Sequence, residues 1–212
     1  MRVAFYDLKE FPALLALAQA WPKMRQDLDV LNAPLMDVDR IGKSHERVGA
    51  EVIQRVEAGE PFGWVRGWGR AGGNSDWTQY GLVIGDRVNQ YASAPRTLAL
   101  LTPLRGIKVA AFVRLAPGTL LPLHTHPEVA AEGILQMHIT LKAPKPLGSC
   151  LLNVAGEICQ HVTGGALVFD GSLPHWAVNA SGEDRVILYL EFHRATHHRP
   201  HLDNHLDRAG AP

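Results

Sequence analysis

Residues 117–127 read PGTLLPLHTHP, and residues 134–141 read ILQMHITL. In the first stretch, proline and glycine precede a short apolar run that ends in two histidines, His124 and His126. Side chains two positions apart on an extended strand point to the same side of a sheet. The two imidazoles are therefore predicted to converge on one volume.

The second stretch alternates between apolar and mixed positions, as expected for a strand that separates two environments. Its first face carries only apolar residues: Leu135, Met137, Ile139 and Leu141. Its second face carries Ile134, Gln136, His138 and Thr140. We expect the first face to lie in the core and the second face to bring polar groups into a site.

Further short segments rich in Val, Ile, Trp and Tyr follow one another from residue 62 onward, separated by Gly and Pro. This spacing is typical of an all-β sandwich or barrel. The predicted strands are 62–68, 77–84, 107–115, 119–124, 134–142, 149–154, 157–162, 166–169 and 186–193. Upstream, apolar residues at helical spacing predict one helix between Phe11 and Leu31 and a second over 48–56. A third helix is predicted from Ser93, with Pro95 in its first turn, to Leu101.

These elements predict a mainly β protein, a double-stranded β-helix (jelly-roll or cupin-like) barrel that N-terminal helices buttress. The 212 residues suffice for a core of their own, so we expect a single domain. Residues 1–60 would form the helical buttress, residues 62–193 the jelly-roll core, and residues 194–212 a solvated, histidine-rich tail. We also expect His45 and His161 to lie at the surface.

The composition argues against several classes of partner. The chain has 21 Lys and Arg residues and 21 Asp and Glu residues, so its formal net charge is zero. It therefore has no net positive charge to attract nucleic acid or an anionic membrane. No apolar run approaches the roughly 20 residues of a membrane span. The two cysteines, Cys150 and Cys159, are too few for a disulfide scaffold and are expected to be buried free thiols. We therefore expect a cytoplasmic protein that acts on a small molecule or a peptide; its oligomeric state is not predicted.

A third histidine completes a candidate metal site. His175 ends the stretch FDGSLPH at residues 169–175. Jelly-roll folds combine an HxH pair with one distant histidine into a facial set of three ligands, which leaves coordination positions open for substrate and dioxygen. We predict that His124, His126 and His175 bind a non-haem iron.

With these residues in view, the chain resembles the aspartyl/asparaginyl β-hydroxylases, which are Fe(II)- and 2-oxoglutarate-dependent oxygenases on a double-stranded β-helix. The resemblance runs from about Trp77 to Phe192. Its marks are Trp77, Tyr80, Asn89, Pro95-Arg96-Thr97, Leu100-Leu101, Pro117-Gly118-Thr119, His124, Met137-His138, Phe169-Asp170, His175 and Arg185. The pattern is also similar to that of the free-proline cis-4-hydroxylases, in the interval from His124 to His138 and in Ser172-Leu173-Pro174-His175.

The resemblance implies a role for each matching residue. His124 and His175 would bind iron, Arg185 would pair with the distal carboxylate of 2-oxoglutarate, and His138 would lie against the other end of this cosubstrate. A planar guanidinium suits this role because it holds a carboxylate with two parallel hydrogen bonds.

The same resemblance places Gln136 and Trp77 in the cosubstrate pocket, and Trp176, directly after a ligand, is our candidate for the substrate side. The implied reaction uses O2 to convert 2-oxoglutarate to succinate and CO2. It hydroxylates an unactivated C–H bond of an amino acid, a carrier-bound amino acid or a peptide.

Three residues depart from the family pattern. His126 stands where the proline hydroxylases have an aspartate and the peptide hydroxylases a glycine. Gln136 replaces an arginine and Val113 a serine, both of which contact the cosubstrate in many relatives. Each charged hydrogen bond lost costs about 1.5–3 kcal/mol, so weaker 2-oxoglutarate binding is expected unless another group compensates.

An alternative follows from the same histidines. The chain also resembles the two cupin motifs. One is similar to Gly118 with His124-Thr125-His126, and the other is similar to His175 with Asn179. A cupin would be a three-histidine metalloenzyme that does not use 2-oxoglutarate, or a metal- or metabolite-binding module without turnover. All of these alternatives predict the same fold, so the fold does not choose among them.

Overall fold

A computed structural model describes residues 3–67, 74–145 and 148–199 of the chain. The helices are α1 (Pro12–Gln19), α2 (Trp21–Val30), α3 (His45–Glu57), α4 (Pro95–Leu101), α5 (Pro127–Ala131) and α6 (Arg194–His197), with a 3-10 turn at Leu8–Glu10. The first strands are β1 (Phe5–Tyr6), β2 (Leu35–Met36), β3 (Trp64–Gly67), β4 (Asn74–Ile84) and β5 (Arg87–Val88). The strands of the second half are β6 (Ile107–Leu115), β7 (Thr119–His124), β8 (Ile134–Lys142), β9 (Cys150–Val154), β10 (Glu157–Gln160), β11 (Ala166–Phe169), β12 (His175–Asn179) and β13 (Arg185–His193).

The strands form two sheets. The large sheet has the order β1-β11-β8-β13-β6-β4-β3-β2, with β5 beside β4, and the small sheet has the order β10-β9-β12-β7. From β6 onward the chain passes between them, with β6, β8, β11 and β13 in the large sheet and the other four strands in the small one. This is the topology of a double-stranded β-helix, so the mainly β, jelly-roll prediction is confirmed. Within the described ranges the two sheets remain separate, and the predicted barrel is not closed.

One face of the large sheet packs against the N-terminal helices. Tyr80, Phe112, Met137 and Leu188 on this face are almost completely buried, together with Phe11 and residues of α1 and α2. Full burial of one such side chain contributes about 1.5–3 kcal/mol. The predicted core face of β8 and the helical buttress are therefore as expected.

A buried carboxylate joins α2 to α4. Asp27 is fully buried and accepts hydrogen bonds from the Thr97 backbone nitrogen (2.7 Å), the Thr97 hydroxyl (2.9 Å) and Arg96 Nη1 (3.1 Å). The first N–H groups of a helix have no acceptor within the helix. Asp27, on the neighbouring helix, is the acceptor for one of these groups in α4. The Pro95-Arg96-Thr97 mark of the family thus has a structural role here.

Several elements differ from the prediction. The single helix expected between Phe11 and Leu31 breaks at Ala20, because Pro22 in the first turn of α2 has no N–H to continue the ladder. Strand β12 and helix α5 were not predicted, because neither five-residue segment carries a clear hydrophobic period. The predicted strand 62–68 begins at Trp64, and residue 68 lies outside the described ranges.

Two histidines at the start of the C-terminal tail pack against the rest of the domain. His197 is buried and meets Phe192 edge-on at 5.5 Å. His198 Nε2 lies 3.0 Å from Glu10 Oε2, and the Arg199 backbone nitrogen donates to Glu10 O. The expectation of a solvated tail is therefore wrong for His197 and His198, which pack against Phe192 and Glu10, whereas residues 194–196 and Arg199 are exposed. Residues 200–212 lie outside the described ranges, and the division of one domain into three regions stays a prediction.

Two further sequence expectations concern the cysteines and membrane spans. Both cysteines are free thiols, as predicted, but only Cys150 is buried. None of the helices in the described ranges is long and apolar enough to span a bilayer.

Candidate metal and cosubstrate site

The three predicted metal ligands lie together. His124 ends β7 and His175 begins β12, and the two residues are direct cross-strand partners. His126 follows β7 and precedes α5. One ring nitrogen from each histidine lies within 4.8 Å of the others, and the ring centroids of His124 and His175 are 4.2 Å apart. Nitrogens bound to one metal at about 2.1 Å lie about 3–4 Å apart, so small side-chain adjustments would suffice.

Backbone carbonyls orient two of these histidines. His124 Nδ1 lies 2.6 Å from Pro122 O, and His175 Nδ1 lies 2.8 Å from Leu173 O. A carbonyl accepts only, so Nδ1 carries the proton in both rings and Nε2 offers its lone pair to a metal. Burial lowers the pKa of both, that of His175 to about 4, so both are neutral and able to ligate near pH 7.

His126 is held differently. Its Nδ1 lies 3.2 Å from Glu128 Oε1, and the side chain of Glu128 is largely exposed. Its backbone nitrogen donates to Gly171 O at 3.0 Å. His126 is thus positioned mainly through its backbone, whereas the other two rings are fixed through a ring nitrogen.

The loop over residues 170–174 supports two of the three histidines. Asp170 Oδ1 accepts hydrogen bonds from the backbone nitrogen and the hydroxyl of Ser172, at 2.9 and 2.6 Å. Gly171 lies so close to Gln136 that a Cβ there would come within 2.3 Å of its side chain. The loop therefore fixes Gly171 O beside His126 and leads directly into His175.

Arg185 lies on the face of the large sheet that looks toward the small sheet. We call this the site face; it also carries Gln136 and His138. Arg185 is only 2% exposed, and its Nε and Nη1 make no hydrogen bond to any part of the chain that the structure describes. Burial lowers its pKa to about 10, so it stays charged at neutral pH. A buried cation without a counter-ion is costly, and a bound carboxylate would relieve that cost.

Two histidines lie beside Arg185. His138 Nδ1 is 3.0 Å from His161 Nε2, and both side chains are buried. Burial first, and then the charge of Arg185, lowers the pKa of His161 well below its usual value. The expectation that His161 lies at the surface is wrong. Its backbone nitrogen pairs with Cys150 O where β10 ends, and its side chain turns inward; we find no local sequence signal for this.

Gln136 is another residue that the sequence places in the cosubstrate pocket. Gln136 is buried on the site face, where its Nε2 donates to the Tyr189 hydroxyl (2.7 Å), which in turn donates to Glu191 Oε1 (2.6 Å). Burial, together with Glu191, raises the pKa of Tyr189 well above its usual value, so it remains a donor. The amide of Gln136 is thus engaged within the protein.

The remaining predicted site residues are Trp77 and Trp176. Trp77 packs against an apolar cluster of Ala111, Val113 and Ile187, and faces Leu115, the cross-strand partner of Arg185. It therefore borders the arginine end of the site face. Trp176 alternates with His175 and Ala177 on β12 and so lies on the opposite face of that strand. This corrects our placement of Trp176 on the substrate side.

Comparison with known proteins identifies the family. A family model described as Aspartyl/Asparaginyl beta-hydroxylase matches residues 18–195. The chain belongs to this family. The resemblance drawn from its sequence marks is thereby confirmed, and the match begins well upstream of Trp77.

One curated relative and two solved structures show the extent of the similarity to individual proteins. An ornithine lipid ester-linked acyl 2-hydroxylase from Rhizobium tropici is 32% identical over 100 residues, which are 47% of this chain and 34% of the relative. The match thus spans about a third of the length of that relative. A structure of a 2OG-Fe(II) oxygenase family oxidoreductase from Burkholderia pseudomallei aligns with a TM-score of 0.46 at 12% identity, over 84% of this chain and 92% of the other. A predicted oxalate decarboxylase from Thermotoga maritima aligns with a TM-score of 0.40 at 18% identity, over 61% and 90%.

Proposed function

We propose that the chain is a non-haem iron hydroxylase that uses Fe(II), 2-oxoglutarate and O2. The observation that carries this proposal is a cluster of three imidazoles that faces a buried arginine on the other sheet, whose Nε and Nη1 have no hydrogen-bond partner among the described residues. Three histidines leave three of six coordination positions, enough for a bidentate 2-oxoacid and dioxygen. Arg185 offers the charge that the far carboxylate of such a dicarboxylate needs.

Each residue has a defined task in this proposal. Bound Fe(II) and 2-oxoglutarate would supply the oxygen activation that an unactivated C–H bond requires. His124, His126 and His175 would hold the metal, and Arg185 would orient the cosubstrate. Phe169, buried between His138 and His175, excludes water from the space between the metal end and the arginine end.

Arg185 also favours this function over the cupin alternative. A three-histidine cupin that does not use 2-oxoglutarate has no need for a buried cation near its metal. The discriminating experiment is a titration of anaerobic, Fe(II)-loaded protein with 2-oxoglutarate, after metal analysis, while following the weak visible charge-transfer band of the chelate. A band that saturates supports the proposal, and its absence across a wide concentration range favours the cupin alternative.

A cavity near the site supports a proposal about the substrate. A cavity of about 730 Å³ lies between α3 and the large sheet, with a mainly apolar lining that includes Val48, Ile53, Gly81 and Ala111. Ala111 belongs to the same apolar cluster as Val113 and Ile187 on the site face. His45, also in the lining, is close enough to His126 for that ring to contribute to lowering its pKa, after burial and Arg40.

We infer from this cavity that the substrate is an amino acid or peptide that carries an apolar acyl group. The acyl chain on which the Rhizobium tropici relative acts, according to its name, supports this choice. A cytoplasmic location completes the proposal.

Gly81 allows a direct test of the substrate class. Gly81 lines the cavity and a Cβ there would meet no atom within 4 Å, so we expect the side chain of Gly81→Val to occupy cavity space. With 2-oxoglutarate, Fe(II), ascorbate and oxygen, both proteins should slowly convert 2-oxoglutarate to succinate and CO2 without substrate, and at a rate above that of a His175→Ala control. An N-acyl amino acid should accelerate the wild type but not Gly81→Val. Equal stimulation of both proteins, or stimulation by the free amino acid alone, would exclude the cavity as the acyl site.

A further inference from the structure

We propose that His161 is a positioning residue that fixes His138 in the tautomer with its proton on Nε2, so that His138 donates a hydrogen bond to the cosubstrate. The inference deepens the proposed function and rests on it for the identity of the ligand. Nothing in the sequence pattern pointed to His161, and its role follows from one short contact and one unpartnered atom.

The first step is the contact between the two rings. His138 Nδ1 and His161 Nε2 are 3.0 Å apart, a hydrogen-bond distance. Burial lowers the pKa of both imidazoles well below the usual value, so both are neutral near pH 7 and each carries one proton. One of the two facing nitrogens must therefore be a donor and the other an acceptor.

The second step decides which nitrogen is the donor. The remaining nitrogen of His161, Nδ1, is buried and has no hydrogen-bond partner among the residues the structure describes. An orphaned buried N–H is rarer and costlier than an acceptor left unpaired. The proton of His161 thus belongs on Nε2, where it is donated to His138 Nδ1. His138 Nδ1 is then the acceptor, and its own proton resides on Nε2.

The third step places that donor. His138 lies on the site face between the two ends of the site, close enough to Arg185 and His175 for both to lower its pKa, after burial and His161. A cosubstrate that reaches from the metal to Arg185 must pass this ring. The donor at His138 Nε2 matters more in this chain than in relatives with an arginine at residue 136, because the Gln136 amide is already bonded to Tyr189. Val113, which replaces the serine, has no donor at all.

The tautomers can be read directly. Two-dimensional ¹⁵N–¹H long-range spectra of ¹⁵N-histidine-labelled, metal-free protein distinguish protonated from unprotonated ring nitrogens. Single His138→Gln and His161→Gln variants assign the signals. We expect the proton of each of the two histidines on Nε2. A proton on Nδ1 of either ring would overturn the inference, whether or not 2-oxoglutarate binds.

Two variants test the consequence for binding. His161→Gln keeps a donor near the position of Nε2, whereas His161→Phe keeps the ring and removes the donor. In anaerobic titrations with 2-oxoglutarate, we expect His161→Gln to bind within about twofold of wild type and His161→Phe about tenfold more weakly, with equal iron content. Equal affinity of the Phe variant and wild type, or equal loss in both variants, would show that His161 only fills space. A wild type that binds no 2-oxoglutarate contradicts the proposed function, and the tautomers still decide the role of His161.

Discussion

The effect of Arg185 on protein stability can be separated by experiment from its proposed effect on cosubstrate affinity. It is buried, charged and without a carboxylate partner within the described ranges, whereas Arg114 on the neighbouring strand pairs with Asp184 at the surface. A buried charge without a partner destabilises a protein, and the same charge binds an anion tightly when one enters. If Arg185 binds the cosubstrate as proposed, it lowers the stability of the empty protein and raises the affinity for the anion.

Replacement by methionine separates these two effects. Arg185→Met should lower the affinity for 2-oxoglutarate at least a hundredfold, about 3 kcal/mol, while iron content stays unchanged. The metal-free variant should be at least as stable as wild type in urea, because the uncompensated charge is gone. Arg114→Met is the matched control and should change neither quantity appreciably. An unchanged affinity in Arg185→Met would mean that the cosubstrate pocket lies elsewhere.

His126 supports a second prediction at the same scale. An imidazole in place of a carboxylate makes the metal unit more positive by one charge, which should strengthen its hold on an anionic cosubstrate and offset the missing charge at Gln136. His126→Gly should lose at least tenfold in iron affinity if the ring is a ligand. His126→Asp should retain iron but bind 2-oxoglutarate more weakly. Iron affinity that survives in the Gly variant, or tighter cosubstrate in the Asp variant, contradicts this role.

At the scale of elements, short segments depend on side chains from elsewhere. Helix α4 has only seven residues, and its N-terminus is capped by Asp27 of α2. Similarly, Asn179 at the end of β12 donates from Nδ2 to the carbonyls of Leu115, Ala116 and Glu183, which fixes the turn that leads to Arg185. Elements of this size are marginal in isolation and persist through such contacts.

Asp27 provides the element-scale prediction. Asp27→Ala leaves the buried N–H and hydroxyl of Thr97 without acceptors, so the free energy of unfolding in urea should fall by about 3 kcal/mol. Asp29→Ala on the same helix breaks only the exposed pair with Arg25 and should cost less than about 0.5 kcal/mol. Iron affinity, measured on folded protein, should be the same in both variants. Equal destabilisation by the two changes would contradict the capping role.

Sequence patterns predict some elements here and fail for others for physical reasons. The strand 134–142 was predicted with the observed bounds because its alternation is strong and extends over nine residues. Strand β12 was missed because five residues between Pro174 and Ala180 carry little periodic signal, and with it the orientation of Trp176 was lost. The clustering of His124, His126 and His175 agrees with the prediction: the HxH spacing is a local signal, and the distant His175 was added from the general pattern of jelly-roll metal sites. His161 was missed because its burial depends on strands that are distant in sequence.

The whole molecule should respond to pH through its buried histidines. Burial lowers the pKa of His138, His161 and His175 in the folded protein, that of His175 to about 4. Below the unfolded value of about 6.5, the unfolded chain binds protons that the folded chain does not, so stability is full above that pH and is lost as the pH falls.

The prediction is a fall in the free energy of unfolding of the metal-free protein between pH 7 and pH 5. Each histidine contributes a slope of up to about 1.4 kcal/mol per pH unit. His161→Gln should reduce this slope by the contribution of one histidine. Urea unfolding at several pH values gives the slope for the wild type and for the variant. A stability that is flat over this range, or identical slopes for the two proteins, would contradict the assignment of His161 as a buried neutral ring.

The direct pairing of His124 with His175 has a kinetic consequence. Strands β7 and β12 meet only after the chain has passed four times between the two sheets, so this contact closes a long loop and is slow to form. A metal that requires both rings can bind only after that closure. The metal should therefore leave the folding rate nearly unchanged. It should slow unfolding instead, because its bonds form after the folding transition state and must break before the protein can unfold.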